Sequence, residues 1–190
     1  LASMAHPHLA ALRYVVTPLN YSGTVSIRSG LDGALVNGGV ERYGALANLH
    51  LEPVAASGGS ATSSVVVRTN ESAIEIATAA RLDTRLDGNS LEPAVHHELG
   101  DASAYSVFEV DVTEGQSVEV DKIVAIFTSN DEGSSTPLAG AILAVEGPSF
   151  DEIRTASERA WQAIWDRIDV GIDGDRLSQK ILRLHLFHCM

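Results

Sequence analysis

Residues 10–17, AALRYVVT, alternate with the period of two expected of a half-buried strand. Leu12, Tyr14 and Val16 share one face, and Arg13, Val15 and Thr17 the other. GTVSIRS repeats the pattern, with Val25 and Ile27 directed inward. Between them lie Pro18, which cannot donate to a ladder and so marks a strand end or an edge, and a turn closed by Gly23. YGALANLHLEPVAAS reads as irregular and GGSAT as a flexible turn. SVVVRTN and AIEIATAARL predict two strands joined through Asn70, Glu71 and Ser72. AVHHELG, YSVFEVDV and SVEVDKIVAIFTS follow, and Thr113 to Gln116 between the last two predicts a hairpin. Short strands separated by turn chemistry predict a mainly β fold, an antiparallel β-sandwich. The missing βαβ alternation argues against a parallel, doubly wound sheet.

Near residue 135 the period lengthens. Ser135 and Thr136 before Pro137 are a helix-start signal, opening STPLAGAILAV. SFDEIRTASERAWQAIWDRID is the clearest helix: Ser149 can cap it and Glu152 completes a capping box. Phe150, Ile153, Trp161, Ile164, Trp165 and Ile168 form its apolar stripe, with the small Ser157 inside it. A last helix starts near Asp173 to Asp175 and carries Leu177, Ile181, Leu184 and His188 along one side. The order is therefore sheet first and helices after, with the break inside NDEGSST.

The composition sets limits on partners. Apolar residues are 45% and charged residues 20%, the ordinary proportions of a globular protein. A net charge of −12 argues against nucleic acid, whose phosphates are bound by basic grooves. No apolar run reaches the roughly 20 residues that span a bilayer, so no membrane partner is expected. One cysteine, Cys189, rules out an internal disulfide and suits a reducing, cytoplasmic compartment. The chain begins at Leu1 without an initiator Met and runs out in ILRLHLFHCM, an apolar helical pattern with no stop signal. The expectation is a piece of a longer protein, with Ile181 to Met190 covered by parts not present.

Candidate chemistry is sparse. His6 and His8 flank Pro7, which spoils ligand geometry, and the adjacent His96 and His97 point opposite ways on a strand. All four are expected at the surface, holding no metal. Glu109 and Asp111 share a strand face and could act as a carboxylate pair, but they lie opposite Phe108, Val110 and Val112, on what reads as the wet side of a sheet. No glycine-rich phosphate loop is present, so no cofactor is indicated. Trp161 and Trp165 read as core. His185 and His188 either line a site made with an absent part or simply pack. In SGLDGALVNGGVERY, Arg42 and Tyr43 either bind sugar or anchor the loop, and anchoring is the reading adopted.

ALRYVVTPLNYSGTVSIRSGLDGALVNGGVERYGALANLHLEP, Ala11 to Pro53, resembles the N-terminal domain of glycoside hydrolase family 65. This family includes maltose, trehalose and kojibiose phosphorylases and acid trehalases. VDKIVAIFTSND is similar to the family's last strand before its linker, and Ala160 to His188 to the linker entering the first barrel helix. The resemblance implies an incomplete, supersandwich-like β-sandwich over residues 1–134, a helical linker over 135–172, and over 173–190 the first helix of an absent (α/α)6 barrel. It implies inverting cleavage of an α-glucosyl disaccharide, with inorganic phosphate as co-substrate in phosphorylases and water as nucleophile in hydrolases. The general-acid Glu belongs to the barrel, so no catalytic residue is expected here. The expected partners are that barrel, the disaccharide in the parent enzyme, and a second copy in a homodimer. A free-standing carbohydrate-binding sandwich is the alternative.

Overall fold

The computed structural model describes residues 1–38, 48–131 and 136–190. Among the described residues, nine strands precede three helices. The strands are β1 (Leu9–Val16), β2 (Gly23–Asp32), β3 (Leu51–Gly59), β4 (Thr62–Thr69), β5 (Glu75–Leu86), β6 (Asn89–Leu91), β7 (His96–Leu99), β8 (Ser103–Val112) and β9 (Val118–Thr128). The helices are α1 (Pro137–Glu146), α2 (Phe150–Ile168) and α3 (Arg176–His188).

The strands form two antiparallel sheets, as the alternation predicts. The larger runs β1-β9-β5-β4-β3, with β6 added to β5; the smaller runs β2-β8-β7. One face of the larger sheet packs on the smaller, joining Leu82, Val118 and Val120 to Phe108, Val110 and Val112. The other face carries Leu9, Ala11, Ala77, Ala79, Ile123 and Ala125 and is roofed by Ala141 and Val145 of α1 and Ile153 of α2. The molecule thus has three layers, and β5, covered on both sides, uses alanines to let α1 approach closely.

Three expectations need correction. LEPVAASGG is a strand, β3, paired with β4 from Leu51↔Thr69 to Gly59↔Thr62. Its small residues and a register shift between Pro53 and Ala55 hide the alternation. Thr113 to Gln116 is not a hairpin: β8 belongs to the smaller sheet and β9 to the larger, so this turn crosses between layers. Gly115 has φ +83° there, and its N–H donates to the Pro18 carbonyl at 2.8 Å. On β1, where the alternation left the inward face open, Leu12 and Tyr14 are 57% and 59% exposed while Leu9 and Ala11 are buried. The larger sheet is wider than the smaller one, so the side of β1 facing that sheet lies beyond its cover. Finally, His97 is only partly exposed, with its ring turned inward. Its ring lies against Gly58 of the opposing sheet, where an added Cβ would sit 2.3 Å from it, and Ser106 Oγ lies 3.3 Å from its Nδ1.

The helices start where their caps require. Thr136 accepts from the Ala139 N–H at 3.2 Å, and Pro137 follows at the first helical position. Ser149 and Glu152 form the reciprocal capping box. Asp175 caps α3 by accepting from the Leu177 N–H at 2.9 Å. Arg81 fastens the α1–α2 turn to the sheet, donating to the Val145 carbonyl at 2.6 Å and the Pro148 carbonyl at 2.9 Å. It also pairs with Asp83 at 2.7 Å.

Candidate functional site

Three places were candidates for function: a groove at the end of the sandwich, a charge cluster beneath α2, and the outer surface of the terminal helices. The groove encloses about 760 Å³ and is lined by Leu82, Asp83, Thr84, Arg85, Glu92 and Phe108, among others. Leu82, Thr84 and Phe108 are buried, so they present little surface to a ligand. Asp83 is held by Arg81, and Arg85 by Glu119 and by Asp121 at 2.8 Å. These charged groups neutralise one another and leave no activated acid–base pair facing the groove.

The charge cluster is the main polar feature beneath α2, and the alternation did not single it out. Register places Arg13 of β1 opposite Asp121 of β9, and Asp121 opposite Asp83 of β5, on the helix-facing side. Asp121 is wholly buried. It accepts from Arg13 Nε at 2.7 Å and Arg13 Nη2 at 2.8 Å, and from Arg85 Nη1 at 2.8 Å. Arg13 Nη2 also donates to Asp151 of α2 at 3.0 Å, and its guanidinium lies 4.3 Å over the Phe150 ring. Burial pushes the Asp121 carboxyl up, but the hydrogen bonds and positive charges of Arg13 and Arg85 outweigh it and leave the group below the usual carboxylate range. The same hydrogen bond to Asp121 holds Arg13 above its ordinary value. Such a cluster, with its charges paired to one another, orders structure. The signal for it in the sequence is an Asp at a core-facing position of VEVDKIVAIF.

The terminal helices are different in kind. Only Ile153 and Ser157 of α2 are buried, both in its first half, and none of α3 is. Trp161 of α2 stacks on Phe187 of α3 with ring centroids 5.3 Å apart. Asp169 pairs with Arg183 at 2.5 Å, and Gln179 accepts from the Ile172 N–H at 2.6 Å and donates to the Val170 carbonyl at 2.9 Å. These contacts close α2 and α3 on each other while leaving Leu177, Ile181, Leu184 and Phe187 between 47% and 66% exposed. His185 and His188 lie in the last turn of α3, and the His188 ring meets Phe187 edge-on at 5.5 Å. Arg42 and Tyr43 lie outside the described residues. Glu109 and Asp111 are both exposed, and Asp111 accepts from Thr24 at 2.6 Å. Among the described residues no three His, Cys, Asp or Glu converge as a metal site, and no helix is long and apolar enough to cross a membrane.

Comparison with known proteins agrees with this architecture. The family model described as glycosyl hydrolase family 65, N-terminal domain, matches residues 1–164. An uncharacterized glycosyl hydrolase of Mycobacterium tuberculosis is 33% identical over 192 residues, covering 100% of this chain and 14% of that protein. The kojibiose phosphorylase of Thermoanaerobacter brockii is 30% identical, covering 96% of this chain and 24% of that enzyme. The kojibiose phosphorylase of Halothermothrix orenii is 25% identical, with 98% and 24% covered. A solved structure of a candidate kojibiose phosphorylase from the human microbiome superposes with a TM-score of 0.80 at 14% identity, over 99% of this chain and 24% of that one. The chain thus spans about a quarter or less of each of these proteins. On the match of its first 164 residues, the chain belongs to glycosyl hydrolase family 65, whose N-terminal domain it carries.

Proposed function

We propose that this domain is the non-catalytic N-terminal scaffold of an enzyme that cleaves an α-linked glucosyl disaccharide with inversion, and that phosphate is the attacking nucleophile. The observation carrying this reading is the apolar side of α3, which is amphipathic yet buries none of its residues. A helix of that pattern needs a covering body. In this reading residues 173–190 open that body, the (α/α)6 barrel that supplies the general-acid Glu, while 135–172 are the linker. The kojibiose phosphorylases among the relatives support phosphorolysis over hydrolysis, and kojibiose as a substrate to try first. A homodimer and a cytoplasmic location belong to the same proposal.

The test compares the longer enzyme with residues 1–190 alone, using kojibiose, trehalose and maltose with inorganic phosphate. The longer enzyme is expected to release β-glucose 1-phosphate, the anomer that inversion of an α-glucoside requires. Release of free glucose alone would replace phosphorolysis by hydrolysis. Residues 1–190 are expected to release nothing and to bind none of the sugars at millimolar concentration. Millimolar or tighter binding by this chain alone would overturn the scaffold reading in favour of a free-standing carbohydrate-binding module.

A further inference from the structure

The helix α2 leaves the sandwich with little to steer it. Its buried contacts end at Ser157, whose Oγ accepts from the Met4 N–H at 3.1 Å. Beyond that residue it projects roughly 16 Å, at about 1.5 Å per residue. Ile153 fixes where the helix sits, because it enters the core with Leu9, Ala11 and Ile123. Apolar burial is non-directional, however, and sets an angle poorly. Besides the Met4–Ser157 hydrogen bond, the directional contact is Arg13, at the start of the helix. Its two-point grip on the buried Asp121 locks the guanidinium plane, and that plane holds Asp151 at 3.0 Å and covers Phe150 at 4.3 Å. Arg154 closes the arrangement by pairing with the other Asp151 oxygen at 3.2 Å.

We propose that Arg13 is a positioning residue that sets the direction in which α2, and α3 closed upon it, leaves the sandwich. A swing of about 20° at this anchor would carry the far end of α2, roughly 26 Å away, by about 9 Å. The consequence for the catalytic body rests on the scaffold reading: Arg13, itself remote from any sugar, would orient the barrel against the sandwich. The helix direction itself is independent of that reading.

The experiment measures distance rather than activity. Spin labels are placed at Glu109→Cys on β8 and Arg167→Cys near the end of α2, in a Cys189→Ser background, in residues 1–190. Pulsed dipolar spectroscopy is expected to give one narrow distance distribution. Arg13→Gln is expected to shift or broaden it, with the far-ultraviolet circular dichroism retained. Arg85→Gln, which also weakens the hold on Asp121 but whose hydrogen bonds and ion pairs go to Glu119 and Asp121 rather than to α2, is expected to leave the distribution unchanged. If Arg13→Gln fails to fold, the pair Asp151→Asn with Phe150→Leu removes the helix side of the contact while Arg13 stays bound to Asp121, and the same broadening is expected. An unchanged distribution in a folded Arg13→Gln protein, or in the helix-side pair, would overturn the proposal; so would an equal broadening in Arg85→Gln. None of these outcomes depends on which sugar the longer enzyme cleaves.

Discussion

Asp121 is the residue on which the helix-facing side of the larger sheet depends most. Its carboxylate is buried and takes three hydrogen bonds from two arginines. Removing it takes three hydrogen bonds from two arginines that are partly exposed and keep Asp151 and Glu119 as partners, so Asp121→Ala is expected to cost about 1–3 kcal/mol in urea unfolding. An exposed pair such as Arg28–Glu98, broken in the same way, should cost under about 1 kcal/mol. The pH dependence has a definite sign. Because the folded carboxyl titrates below its unfolded value of about 3.9, its contribution is complete above that value and is lost as pH falls through the folded one. The Asp121→Ala protein should therefore show a shallower loss of stability below about pH 4 than the parent chain. This centre was only partly legible in the sequence. Alternation put Arg13 and Asp121 on definite faces of their strands, but the partnership joins residues 108 positions apart, and strand order alone decides it.

At the scale of elements, the separation of the two sheets is set at one point by Gly58 and His97. A Cβ on residue 58 would lie 2.3 Å from the imidazole, so the ring or the strand must move. Gly58→Ala is expected to lower stability by about 1–3 kcal/mol in thermal or urea unfolding, the usual range for overpacking. Gly59→Ala next to it meets nothing within 4 Å and serves as the control. The helices and most strands could be read directly, since caps such as Ser149–Glu152 and the alternation of β8 and β9 are local signals. β3 could not, because LEPVAASGG offers a proline, three glycine or serine positions and no apolar rhythm. The crossing between β8 and β9 could not either. A four-residue turn looks alike whether it closes a hairpin or passes between layers, and the difference lies in pairing with β1 and β5.

For the whole molecule, the exposed side of the α2–α3 pair gives a further expectation. The chain 1–190 should bind a hydrophobic fluorophore at this surface, and Ile181→Gln with Leu184→Gln should abolish most of the fluorescence without lowering the unfolding free energy by more than about 0.5 kcal/mol, as for other surface changes. In the longer enzyme the same two changes should destabilise markedly, by about 2–5 kcal/mol for each large apolar group left without its cover. Equal, small effects in both would contradict a covered helix. The pairing of β1 carries a different consequence, for the order in which the chain can fold. Its partner strand among the described residues is β9, with Leu9 opposite Ala125, about 115 residues later. At synthesis rates of about 5–20 residues per second, the first strand waits roughly 6 to 23 seconds before its neighbour has left the ribosome. For that interval Leu9 and Ala11 have no sheet to join, and a nascent-chain chaperone that binds short apolar segments has a definite window in which to hold them.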